Sequence, residues 1–198
     1  MDASQLTPTT ELEAVNDMLL AIGESPVASL EGTLAPDAQS AQQVLVREAR
    51  TIQSQGYSWN TDEGFRLSPD INGEIILPAN ALKVSPTHPY HSYTTRGGKL
   101  WDRLNKTFTF TDAVYLDIVS FLDFGDIPEP ARRLIYLVAL KKFDNRVDGA
   151  QGDSQSEAQD VVQAKADLME LECDASRLNV VRDSWSVRRN VIGVTGSR

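Results

Sequence analysis

The sequence predicts an α+β fold: a discontinuous four-helix bundle with an inserted small antiparallel β-rich unit and an extended C-terminal tail. Three observations carry this. Capped helical periodicity appears in both halves of the chain. It vanishes between Tyr57 and Asp126, where prolines and glycine-containing turns punctuate short runs. From Arg177 onward, arginines replace the acids that dominate a chain of net charge −9. With 198 residues, 41 % of them hydrophobic and 24 % charged, the chain is long and apolar enough to bury a core.

The first helix opens on the capping box of Thr10 and Glu13. Leu12, Val15, Leu19 and Ile22 then share one face, and Gly23 and Pro26 stop it. The second begins at Pro36 or Asp37 and runs to Gln55, closed by Gly56. Its inner stripe of Ala38, Ala41, Leu45, Ala49 and Ile52 is small enough for close approach to the first helix. In the β-rich stretch, Asn72-Gly73 and Gly97-Gly98 predict two hairpins, Phe65–Leu67 with Glu74–Leu77 and Tyr93–Thr95 with Lys99–Asp102. Thr107–Phe110 and Val114–Phe121 read as further strands.

Helix resumes after Pro128, with Glu129 in its first turn. The run Leu134–Leu140 has no charge on any face, so every side needs a neighbour, and one of those neighbours can be another subunit. After Gly149 and Gly152 a fourth helix begins near Asp153 or Ser154, with Ala158, Val161, Val162 and Met169 expected inward. Its other face carries Asp160, Asp167, Glu170 and Asp174. The final stretch holds five arginines against Asp183, together with Trp185, Val187, Val191 and Ile192. An aromatic flanked by arginines suits either a protein-interface anchor or a tail folded back on its own bundle. The expected domains are 10–56 with 127–177 as the bundle, 57–126 as the β-rich insertion and 178–198 as the basic tail.

Composition also excludes. One cysteine, Cys173, permits no intramolecular disulfide and no cysteine-paired zinc site. The acid excess argues against a protein that coats nucleic acid. No leader or membrane span is expected, since the start is neither basic nor apolar and the longest apolar run contains Asp117. His88 and His91 have a ligand-like spacing but no helix to present them and no evident third ligand, so they read as exposed loop residues. Asp123-Phe124-Gly125 matches the kinase magnesium tripeptide without the other kinase elements, and Arg96–Lys99 falls short of a P-loop. The pairs Asp62/Glu63 and Asp123/Asp126 could in principle be a glycosidase acid and nucleophile, yet a chain with 28 acids makes such pairs without catalytic cause. Trp59 and Trp101 read as packing residues. No catalytic set, cofactor site or metal site emerges, and the expectation is a non-enzyme.

Several segments together resemble tail tubular protein A of short-tailed bacteriophages. They are EAVNDMLLAIGESPVASLEG (Glu13–Gly32), QSQGYSWN (Gln53–Asn60), PDINGEIILPANALKV (Pro69–Val84), RGGKLWDR (Arg96–Arg103) and DFGDIPEPARRLIYLVALKKFDNR (Asp123–Arg146). They run in the family's order over about residues 10–150. The resemblance implies a structural virion protein made in the host cytoplasm, a head–tail adaptor in the virion tail. It would form a twelve-fold ring between the portal and the nozzle protein, tail tubular protein B. Tail fibres would attach at that junction, and the genome would leave through the lumen, with no cofactor and no membrane insertion.

Beside that resemblance, residue chemistry assigns expected roles. Leu134, Leu137 and Leu140 are expected at the ring contact, and Asp160, Asp167 and Glu170 along or near the channel. Trp185, Arg188, Arg189 and Ile192 are expected on the portal. Two other readings stay open from the residues alone: a glycan-hydrolysing tail enzyme, which needs two carboxylates converging in a cleft, and a monomeric cytoplasmic binding module, which needs the Leu134–Leu140 helix enclosed by its own chain.

Overall fold

The structure, a computed structural model, describes residues 9–147 and 155–183. Four helices, α1 (Glu11–Ala21), α2 (Pro36–Gln53), α3 (Glu129–Val147) and α4 (Gln155–Asp183), are interrupted by five strands. The strands are β1 (Thr61–Leu67), β2 (Ala81–Pro86), β3 (Tyr93–Arg96), β4 (Lys99–Asp102) and β5 (Val114–Ser120). The α+β architecture is the one expected. α4 continues to Asp183, so the first six residues of the stretch read as tail are helical.

Local chemistry sets the helix ends. The Thr10 hydroxyl accepts from the Glu13 amide at 3.2 Å, and the Glu13 carboxylate accepts from the Thr10 amide at 2.8 Å. Hydrogen bonds from the Thr10 amide and hydroxyl hold the Glu13 carboxyl below its ordinary pKa. At the other end of α1, Gly23 takes a left-handed φ of 78°, and Glu24 N–H donates to Leu19 C=O at 2.9 Å. The Asn16 amide then ties down the linker by exchanging two bonds with the Val27 backbone, at 2.8 and 3.0 Å. Arg132 fastens the start of α3, donating to the carbonyls of Ile127, Gly125 and Thr9, while Glu129 accepts from Thr9.

The helical core is built from Ala14, Val15, Met18 and Leu19 of α1, the small stripe of α2, Ile135, Ala139 and Phe143 of α3, and Ala164 and Leu168 of α4. α3 lies at its centre, packed on α1, α2 and α4. Burying Ala38, Ala41 and Ala49 lets α2 lie against both α1 and α3.

The β-rich region has its own smaller core of Ile75, Leu77, Leu100, Val114, Leu116 and Ile118. The hairpin of β3 with β4 forms in the expected register, Tyr93 opposite Asp102. The other expected hairpin does not form. β1 instead pairs antiparallel with β5, and β5 pairs on its other side with β2, in the order β1-β5-β2. β5 wins the centre because Val114, Leu116, Ile118 and Val119 give it the most apolar surface to bury. Glu74–Leu77 crosses β4 rather than β1, with Leu100 N–H donating to Ile75 C=O at 2.9 Å and Leu77 N–H to Gly98 C=O at 3.0 Å. Thr107 and Thr109 make single bridges to Asp102 and Glu74, not a strand. A bulge in β1 between Asp62 and Phe65 turns Gly64 N–H onto the Asp117 carboxylate at 2.9 Å. Asp117 also accepts from Thr87 Oγ1 at 2.8 Å, which accounts for an acid in the middle of the most apolar strand.

The Asp70–Glu74 turn is closed by the Asp70 carboxylate, which accepts from Asn72 N–H and Glu74 N–H. Gly73 sits there at φ 76°, and a Cβ would lie 2.7 Å from Thr109 Cγ2. Gly73→Ala is therefore expected to cost about 1–3 kcal/mol. Gly97→Ala, left-handed at φ 58° but with nothing within 4 Å of its Cβ, should cost less. Urea unfolding of the two variants checks the order; a larger loss at Gly97 would contradict it.

Candidate assembly surfaces

No helix among the described residues is long and apolar enough to cross a membrane. Among the same residues no cluster of three or more His, Cys, Asp or Glu side chains could hold a metal ion. The two carboxylate pairs lie at exposed positions. What the molecule does present is a set of surfaces.

α4 is the most informative. Val161, Ala164, Leu168 and Leu171 pack into the helical core. Val162 and Met169 do not: they are 69 % and 60 % exposed, correcting the expectation that both point inward. The helix has two apolar stripes, and among the described residues only the one meeting α3 is covered. Asp160 and Glu170 are exposed. Asp167 is half-buried, 3.7 Å from Arg133 and accepting from Gln163 at 2.8 Å. Farther along, Glu172 accepts from both the backbone and the hydroxyl of Ser58, pinning α4 to the loop after α2. In that loop Tyr57 stacks on Trp59 at 5.4 Å, and burial with the nearby Glu172 charge pushes the Tyr57 phenol up.

Leu134, expected at a ring contact, is only 5 % exposed and packs into the helical core of its own chain. Ile135 and Ala139 are buried beside it. Leu137 and Leu140 are half-buried and line a groove of about 350 Å³ with Ala21, Tyr136, Lys141, Asp144 and Asp160. Burial, with the adjacent Asp17 carboxylate accepting from the phenol, pushes the Tyr136 pKa up to about 12. Because the folded pKa is raised, stability is unaffected below about pH 10 and falls as pH rises through 10 to 12, where the unfolded phenol ionises first. Alkaline titration of phenolate absorbance should show a late-ionising tyrosine that Tyr136→Phe removes; an unchanged curve would refute the assignment.

On the opposite flank of α3, α2 turns Gln39, Gln43, Val46, Arg47, Arg50 and Thr51 outward. Val46, Arg47 and Arg50, with Gln42 and Gln43, line a shallow groove of about 370 Å³. Arg50 lies 5.8 Å over the Phe121 ring. Glu48, the acid on this helix's inner side, is buried and paired with Lys142 at 2.6 Å.

The β-rich region carries a recess of about 410 Å³ lined in part by His88, His91, Tyr93, Asp102, Asn105 and Phe110. The histidines are exposed, as expected of loop residues, with His91 stacked on Tyr93 at 5.3 Å. Burial acts to raise the Asp102 carboxyl. Hydrogen bonds from Asn105 and Leu104, with His91 nearby, outweigh it and hold the group low. Trp101 meets Phe108 edge-on at 4.5 Å and carries Arg96 over its face at 4.5 Å, so it packs between its own hairpin and the segment that follows. Trp59 lies against the helical core.

Sequence reasoning missed Gln53 and Asn60, which join the two units. The Gln53 side chain exchanges two hydrogen bonds with the Leu122 backbone, at 2.8 and 3.0 Å. The Asn60 amide donates to both Gln53 C=O and Ser120 C=O at 3.0 Å. The available signal was a pair of amides at the edges of the β-rich stretch, too common a feature to single out. Trp185, Arg188, Arg189 and Ile192 lie outside the described residues.

Comparison with known proteins follows the same lines. A family described as Tail tubular protein matches residues 12–178. A curated relative, Tail tubular protein A of Klebsiella phage KP34, is 37 % identical over 121 residues, covering 61 % of this chain. The match spans 64 % of that relative's length, just under two thirds.

Proposed function

The chain belongs to the tail tubular protein family, structural components of bacteriophage tails, and on that premise we propose that it is the head–tail adaptor of its virion. In this reading about twelve copies close into a ring by a heterologous contact, each subunit offering two different complementary faces. The family match over residues 12–178 carries the reading, since it takes in nearly all of the four helices and the whole β-rich region. The ring sits between portal and nozzle protein, its lumen passes the genome, and tail fibres attach at the nozzle side. The protein is made in the host cytoplasm and its role is non-catalytic.

Leu137 and Leu140 contribute to the ring contact through the groove they line, with Leu134 as packing beneath them. Asp160, Asp167 and Glu170 line or approach the lumen. A negative wall repels phosphates within about 8–10 Å at ordinary salt, so DNA slides without adhering. The segment after α4 docks on the portal, with Trp185 and Ile192 as apolar anchors and Arg188 and Arg189 as charge contacts. The β-rich unit faces nozzle or fibre.

Light scattering on the chain alone, then with its cognate portal, tests the reading. The expected result is a low-mass species that becomes about a dozen copies on the portal. A chain that ignores the portal sinks it. Shortening the chain after Asp183, where α4 ends, should abolish portal binding while the helical circular dichroism persists; unchanged binding would refute the portal assignment.

A further inference from the structure

A helix on the edge of a bundle needs one apolar stripe, and α4 carries two. Val162, Ala166, Met169 and Cys173 recur at steps of four, three and four residues, the spacing of a coiled-coil seam. At 100° per residue they centre roughly 150° round the helix from the stripe that packs on α3. All four are exposed. One edge of this seam is acidic, with Glu170 and Asp174 exposed along it, while Lys165 stands on the other edge.

The complement stands on another flank of the same molecule. From Gln39 to Thr51 the outward positions of α2 hold Arg47, Arg50 and the exposed Val46, with no acid. α2 and α4 each pack extensively on α3. One protomer therefore carries an apolar seam with one acidic edge on one flank and a basic groove holding the exposed Val46 on another.

We infer that the Val162–Cys173 seam of α4 docks on the α2 face of a second copy of this chain, with Val46 against the seam and Arg47 and Arg50 toward its acidic edge. The inference rests on the ring reading above and adds a second pair of faces to the contact made by Leu137 and Leu140. Opposite charge along the two edges sets register and suppresses seam-on-seam pairing, in which like-charged edges would meet.

The test uses the full chain under conditions in which the wild type assembles, with mass read by light scattering. Val162→Asp with Met169→Asp, and separately Arg47→Glu with Arg50→Glu, should each reduce the assembled species at least tenfold. Circular dichroism and melting temperature should stay unchanged, because all four side chains are on the surface. Mixing the two variants should give a two-copy species, since each retains one intact face. Cys173 should react with a thiol reagent in the monomer and become protected on assembly.

Failure of the wild type to assemble even with its cognate portal overturns the ring reading and this inference with it. Wild-type assembly matched by either variant, or a mixed pair that stays monomeric, overturns the inference alone. Protection of Cys173 in the monomer that shortening after Asp183 removes would mean the chain's own C-terminal segment covers the seam, and also overturns it.

Discussion

Replacing Phe143 by alanine is expected to remove about 3–5 kcal/mol of stability, the range for deleting a fully buried phenylalanine. Phe143 is 1 % exposed and belongs to α3, the helix that packs on the other three. The cavity would therefore open where no single helix can shift to fill it without leaving another. Against the roughly 5–15 kcal/mol that holds an ordinary domain folded, this loss is a large fraction. Urea unfolding at 25 °C checks it, and Phe143→Leu, which keeps most of the volume, should lose much less. A loss below about 1 kcal/mol on Phe143→Ala would place the end of α3 outside the cooperative core.

Gln53→Leu should cost about 2–4 kcal/mol for a different reason. The Gln53 side chain is fully buried and satisfies both the N–H and the C=O of Leu122. Leucine matches its size but leaves both backbone groups without partners, each costing about 1–3 kcal/mol when buried. Hydrogen exchange supplies the site-specific readout: the Leu122 amide should exchange faster in the variant. An unaltered Leu122 amide would show that the clamp holds nothing. Because Gln53 C=O also receives the Asn60 amide, a double-mutant cycle with Asn60→Ala should show coupling between the two sites.

The family was legible from the sequence because its segments run in order over about 140 residues, while no single one is distinctive. The assembly surfaces were legible only in part. The heptad-spaced exposure of Val162 and Met169 was hidden, because Val161 and Val162 are adjacent and equally apolar. Periodicity ranks a stripe by its hydrophobicity and cannot say which of two stripes has a neighbour. Leu134–Leu140 has no charge on any face, but the division between buried Leu134 and half-buried Leu137 and Leu140 depends on how the other helices pack against it.

The sequence by itself determined where α1, α2 and α3 begin and where α1 stops. Thr10 with Glu13, Gly23, Pro36 and Pro128 act on backbone groups within a turn of themselves, so their signals need no distant partner. It also determined the β3–β4 hairpin, whose strands are joined by a two-glycine turn. Only the tertiary structure decided that β1 pairs with β5 across about fifty residues, that Gln53 reaches Leu122, and that one apolar face of α4 is left open by the described residues. Each of these is a competition among distant surfaces for the same burial. Its outcome depends on the total apolar area and hydrogen bonds that each pairing recovers, a quantity no local stretch of sequence contains.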